Sequence, residues 1–131
     1  MKKVEELVDA LKAVELENVK EELMSMTKLN ELLKKKEQEV NHPIFIICDE
    51  PYREIVYDGV KVPFLTKYYD NTLVCYSYSK SLSLPGERIG YVLVPQETYE
   101  SKALYAAIAG AGRALGYVCA PSMMQKVIVR C

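Results

Sequence analysis

Thr72-Leu-Val-Cys-Tyr-Ser77-Tyr-Ser-Lys80-Ser-Leu-Ser-Leu-Pro-Gly-Glu-Arg88-Ile-Gly-Tyr-Val-Leu-Val94 is the stretch whose reading decides the fold. Its two apolar runs, 72–77 and 88–94, read as strands, the second closed by Pro95. Ten residues separate them and include Pro85-Gly86. That connection is short for the crossover between parallel neighbours, so the second run is expected to return antiparallel to the first. Upstream, Pro43-Ile-Phe-Ile-Ile-Cys48 is a continuous apolar run ending in Asp49-Glu50, as a buried parallel strand reads. About 23 residues separate it from Thr72, enough for a crossover connection. The expectation is an α/β fold: a partial three-layer sheet with two parallel strands and one antiparallel strand, preceded by an N-terminal helical segment.

Outward from this centre the chain changes character at residue 42. Residues 1–41 hold 18 charged side chains and no Gly or Pro, whereas the other 90 residues hold 17. Apolar residues at 4, 7, 8, 11 and 14, then 19 and 23, have helical spacing. A second helix is expected after Ser25 or Thr27, either of which can cap it, with Leu29, Leu32 and Leu33 inward. Lys34, Lys35 and Lys36 suit its C-terminal end, where the helix dipole favours cations. Residues 98–115 are Ala-rich and helical in propensity, and Pro121 is expected to open a last helix.

Composition excludes several functions. The 131 residues, half of them apolar, fit one core. With 17 basic against 18 acidic side chains, the net charge of −1 makes no case for nucleic acid or an anionic membrane. No apolar run approaches the roughly 20 residues of a membrane span, and the N-terminus carries no apolar signal core. The four cysteines (48, 75, 119, 131) form no C-x-x-C pair and the lone histidine, His42, has no second imidazole. Neither a zinc site nor a disulfide framework is expected; the thiols read as reduced, the compartment as cytoplasmic, and His42 as a surface residue.

In open α/β sheets, ligands bind outside the carboxyl ends of the parallel strands. Asp49 ends the first strand; Ser77, Ser79 and Lys80 follow the end of the second. If the third strand runs backwards, Arg88 starts at that same edge. An acid, two hydroxyls, an amine and a guanidinium then converge on one crevice. Arg88 and Ser77 suit a phosphate, and a lysine between a basic neighbour and an apolar sheet can become a carbonyl-capturing amine. The plainer reading, that polar residues merely follow strand ends, stays open on these grounds alone.

Asp49-Glu-Pro-Tyr52, followed by Ser77-Tyr-Ser-Lys80 and by Arg88 eight residues beyond the lysine, closely resembles the class I/II pyridoxal-phosphate-dependent aminotransferases. The resemblance extends more loosely from about Ser25 to the C-terminus, through Gly112-Arg113-Ala114 and Pro121-Ser122. It implies the aspartate aminotransferase fold (fold type I), with pyridoxal 5'-phosphate as cofactor. It implies Lys80 as the lysine that forms the internal aldimine and moves the proton at the substrate's Cα. Asp49 then pairs with the pyridine nitrogen and Tyr52 with the ring's phenolic oxygen. Ser77 and Arg88 match phosphate ligands, with Ser79 a weaker candidate for the same anion.

Departures from the family pattern matter as much. The Asn-Pro-Thr-Gly type motif is replaced by Glu-Asn-Val-Lys-Glu-Glu-Leu-Met, and neither the small-residue phosphate loop nor the ring-stacking aromatic is present. On the same pattern, the small domain with its carboxylate-binding arginine is not expected within these 131 residues. Residues 1–24 therefore read as a helical segment of unclear origin, and 25–131 as the later half of a cofactor domain, truncated or rearranged. Three readings follow: an aminotransferase acting on an amino acid and a 2-oxo acid, a related pyridoxal-phosphate lyase or synthase, or a non-catalytic α/β fragment or scaffold. The isolated chain is expected to be inactive. Uncovered sheet edges, and the homodimers of the family, lead us to expect a homo-oligomer.

Overall fold

The structure, a computed structural model, describes residues 19–131, with side chains from residue 25 onward. Helix α1 spans Val19–Val40. It passes through Ser25 and Thr27 without interruption, so neither residue caps a new helix there. Leu, Met, Lys and Glu dominate this stretch, and their propensity outweighs two hydroxyl residues in a helix interior. Most of the expected segment 1–24 lies outside the described residues. Leu29 and Leu33, one turn apart, face inward, while Leu32 falls off that stripe and is 54% exposed. The helix ends where Asn41 turns left-handed at φ 53, a conformation Asn tolerates better than most residues.

Strands β1 (Ile46–Asp49), β2 (Thr72–Ser77) and β3 (Gly90–Leu93) form one sheet in that order. β1 and β2 are parallel, Ile46 opposite Thr72 and Asp49 opposite Cys75. β2 and β3 are antiparallel, Val74 opposite Leu93 and Ser77 opposite Gly90. The α/β architecture with two parallel strands and one antiparallel strand is thus the one expected. β1 starts three residues later than its apolar run. Pro43 has no N–H to give, and the Ile44 N–H goes instead to the Glu37 carboxylate at 2.9 Å. Nor is β1 buried on both faces: its exposure alternates and Ile47 is 69% exposed.

Beyond β2 come the one-turn helix α2 (Tyr78–Ser81), then α3 (Ser101–Ala114) after β3, then α4 (Ser122–Ile128) behind Pro121. A core cluster gathers Leu29, Leu33 and Tyr69, with Met26, Ile44, Ile46 and Leu65 packed on it. Beside it, one Glu37 oxygen meets the Ile44 N–H, the Tyr69 hydroxyl at 2.9 Å and the Asn71 amide at 3.0 Å. The Asn71 carbonyl oxygen in turn accepts from the Tyr99 N–H at 2.8 Å. This knot ties α1 to the entry edge of the sheet, opposite the edge where the candidate site residues stand.

All four cysteines are free, Cys48 and Cys75 half-buried and Cys119 and Cys131 exposed. His42 is exposed. Among the described residues no helix is long and apolar enough to cross a membrane.

Candidate functional site

The sheet register brings three sequence-predicted residues to one edge. Asp49 closes β1, Ser77 closes β2, and Arg88 stands two residues before β3 begins opposite Ser77. Asp49, Ser77 and Arg88 all line one cleft of about 710 Å³. That volume lies within the roughly 300–1,000 Å³ of small-molecule and cofactor sites. Cys75 and Tyr76 of β2, Glu87, Gly90 to Val92 of β3 and the segment Tyr117–Pro121 also line it. Sequence reasoning missed that segment, although Gly116 at φ 88 and Pro121 bracket it as a turn-bounded connection.

Local geometry explains how the hydroxyls and the guanidinium are held. Ser77 is the N-cap of α2: its backbone is extended and its Oγ accepts from the Ser79 N–H at 3.2 Å. The Ser77 and Ser79 hydroxyls lie 2.6 Å apart, so Ser79 reaches the cleft through Ser77 rather than lining it. Arg88 adopts a left-handed backbone at φ 51, and its Nη1 donates to the Pro85 carbonyl at 3.1 Å. Such a conformation costs a non-glycine residue about 1–3 kcal/mol and clusters at ligand-binding positions. Gly90 follows because nothing larger fits: a Cβ there would lie 2.2 Å from the Tyr76 carbonyl oxygen.

Lys80 and Tyr52 form a second group. The Lys80 Nζ, on α2, sits 5.4 Å from the centroid of the Tyr52 ring, a cation–π contact. Neither residue lines the cleft of Asp49, Ser77 and Arg88. Each, however, stands three residues beyond one that does. The turn carrying Tyr52 is fastened by Arg53. Its guanidinium pairs with Glu50, donates to the carbonyls of Val62 at 3.1 Å and Pro63 at 2.6 Å, and lies 4.4 Å from the Phe64 ring centroid. Only tertiary structure reveals this fastening, since the two carbonyls lie nine and ten residues away.

Chemically, the set comprises an acid, a guanidinium, two hydroxyls and an amine. The guanidinium and hydroxyls suit a phosphate, the acid suits a protonated ring nitrogen, and the amine suits an aldehyde. These donors therefore fit a phosphorylated pyridine aldehyde. Among the described residues no three His, Cys, Asp or Glu side chains gather as a metal site. Burial, followed by Glu50, pushes the Cys48 thiol from 9.0 up to about 11, which keeps it protonated and inert as a nucleophile.

A parallel strand pair closed by an antiparallel third, with Asp49, Ser77 and Arg88 at its carboxyl edge, defines an α/β protein with a cleft at its strand ends. The chain belongs to the family of class I and II aminotransferases, which it matches over residues 4–130. It is 32% identical over 72 residues to an aspartate aminotransferase of Pyrococcus horikoshii, covering 53% of this chain and 18% of that one. A probable aspartate/prephenate aminotransferase of Aquifex aeolicus is 33% identical over 97 residues, covering 71% of this chain and 25% of the other. The crystal structure of an amino transferase from Eubacterium rectale superposes with a TM-score of 0.79 at 75% identity, covering 82% of this chain and 27% of that one. The chain thus matches about a quarter or less of the length of each of these relatives.

Proposed function

We propose that this chain carries the cofactor-side residues of a pyridoxal-phosphate-dependent aminotransferase, transferring an amino group between an amino acid and a 2-oxo acid. The observation that carries the reading is the convergence of Asp49, Ser77 and Arg88 on one cleft. In this reading Asp49 accepts a hydrogen bond from the protonated ring nitrogen. Tyr52 donates to the ring's phenolic oxygen. Ser77, Ser79 and Arg88 hold the phosphate, and Lys80 supplies the amine that binds the aldehyde carbon. When bound, the cofactor supplies the electron sink that makes a substrate Cα–H acidic. In the same reading Lys80 takes that proton and returns it.

The unit that does this spans residues 25–131, supported by the packing of Met26, Leu29 and Leu33 against Tyr69. Taken alone, the 131-residue polypeptide retains cofactor-side groups but does not complete a turnover. The share of its relatives' length that the chain spans, about a quarter or less, supports this non-catalytic reading for the isolated chain. We include in the proposal association with a further copy and a cytoplasmic setting, the latter supported by four free thiols. The test is optical. Mixing the chain with pyridoxal phosphate is expected to produce a visible absorbance band that Lys80→Ala abolishes. No band, or one unchanged by the substitution, overturns the reading.

A further inference from the structure

The contact between Lys80 and Tyr52 joins two segments that share no strand, and one side chain holds both. The Tyr76 hydroxyl lies 2.7 Å from the Glu54 Oε2 and 2.7 Å from the Ser81 Oγ. Glu54 follows Tyr52 by two residues and Ser81 follows Lys80 by one. The phenol has one proton, which it donates to the carboxylate, and it accepts the Ser81 proton in return. Its ring cannot easily swing away. It stacks on Tyr91, its cross-strand partner, with centroids 5.2 Å apart and planes at 25°. It also meets Tyr78 edge-on at 5.2 Å. Burial pushes the Tyr76 phenol up, the Ser81 hydroxyl pulls part of the way back, and Glu54 adds to the rise, so the donor keeps its proton at neutral pH.

We infer that Tyr76 is a positioning residue: through Glu54 and Ser81 its hydroxyl sets the separation of Tyr52 and Lys80. The importance of that separation rests on the function proposed above, but the separation itself does not. An exposed lysine on a one-turn helix has many rotamers, and ordering its amine costs entropy unless its backbone and its partner ring are both anchored. Tyr76 anchors both from strand β2. Binding energy is then not spent on gathering the amine and the phenol.

The experiment compares the wild-type chain with Tyr76→Phe, Ser81→Ala and Glu54→Gln. Two readouts are taken: the upfield ring-current shift of the Lys80 ε-protons by NMR, and the rate of borohydride-trapped pyridoxal phosphate at Lys80 against the other lysines by mass spectrometry. Tyr76→Phe, which keeps the stacked ring, is expected to lose most of the shift and to slow trapping at Lys80 about tenfold, with other lysines unchanged. Ser81→Ala and Glu54→Gln should each produce part of the effect, and neither should worsen Tyr76→Phe. An unaltered Lys80 shift in Tyr76→Phe, or equal losses at all lysines, overturns the inference. A lost shift with no preferential trapping even in the wild type upholds the positioning role and overturns the functional reading instead.

Discussion

Arg88 and Gly90 stand two residues apart and are constrained for different reasons. Gly90 is a matter of space, since any Cβ collides with the Tyr76 backbone. Gly90→Ala must therefore part β2 from β3, and overpacking of this kind costs about 1–3 kcal/mol. A lower urea midpoint at unchanged m-value is the expected measurement. Arg88 holds a strained backbone and an exposed guanidinium with one carbonyl partner. If it binds a phosphate, Arg88→Ala removes a charge-assisted bond of about 1.5–3 kcal/mol, or about 10- to 100-fold in affinity. Titration should show that loss for pyridoxal phosphate and not for pyridoxal; equal losses for both would disprove the assignment. Cys48 supplies a pH dependence. Its folded-state pKa is raised from 9.0 to about 11, so the unfolded chain releases the proton first as pH rises. Its contribution is fully present below pH 9 and is lost towards pH 11, and Cys48→Ala should flatten the decline in stability across that window.

Among the elements, α1 is fastened to the sheet by Glu37 as well as by Leu29 and Leu33. One carboxylate oxygen receives the Ile44 N–H, the Tyr69 hydroxyl and the Asn71 amide, donors from three different places in the chain. Removing it leaves a strand-entry N–H and an amide without that acceptor. Glu37→Ala is expected to cost about 2–3 kcal/mol, read by urea denaturation, and Glu37→Gln to recover part of it. The alternative, a loss no larger than for a surface glutamate, would mean that α1 is held by Leu29 and Leu33 alone. The apolar period anticipated a helix through Leu29 and Leu33, but with a start at Ser25 or Thr27 that the unbroken helix Val19–Val40 does not have, and it did not anticipate the hydrogen bonds. Glu37 is one of several acids in a charged run, and nothing local separates it from Glu31 or Glu39.

At the scale of the whole molecule, the sheet is covered unevenly. Ile47 on β1 and Val92 on β3 remain exposed on the face that carries Asp49 and Ser77, and all of β3 is exposed. Tyr105, Leu115 and Val118 add further uncovered apolar surface. Self-association is the expected outcome: sedimentation should show an average mass that rises with concentration, and Ile47→Lys with Val92→Lys should lower it. A clean monomer across the range would remove the homo-oligomer from the proposed function.

Strand directions were legible in the sequence because they follow from connection length: ten residues forbid one topology and 23 permit another. The edge residues followed from the same reasoning. Asp49, Ser77 and Arg88 are adjacent to strand ends, and strand ends in a three-stranded sheet have few places to go. Burial was less legible, since the apolar run at β1 promised two covered faces, whereas Ile47, on an edge strand with one neighbour, stays exposed. What only the tertiary structure decided is how the pieces are locked together. Tyr76 reaches Glu54 across 22 residues, and Glu37 reaches Asn71 across 34. Bonds of that span depend on side-chain direction and on which residues the fold happens to bring within 3 Å. Periodicity and spacing carry the chain's local preferences; they hold no information about a hydroxyl whose two partners come from a turn and a one-turn helix.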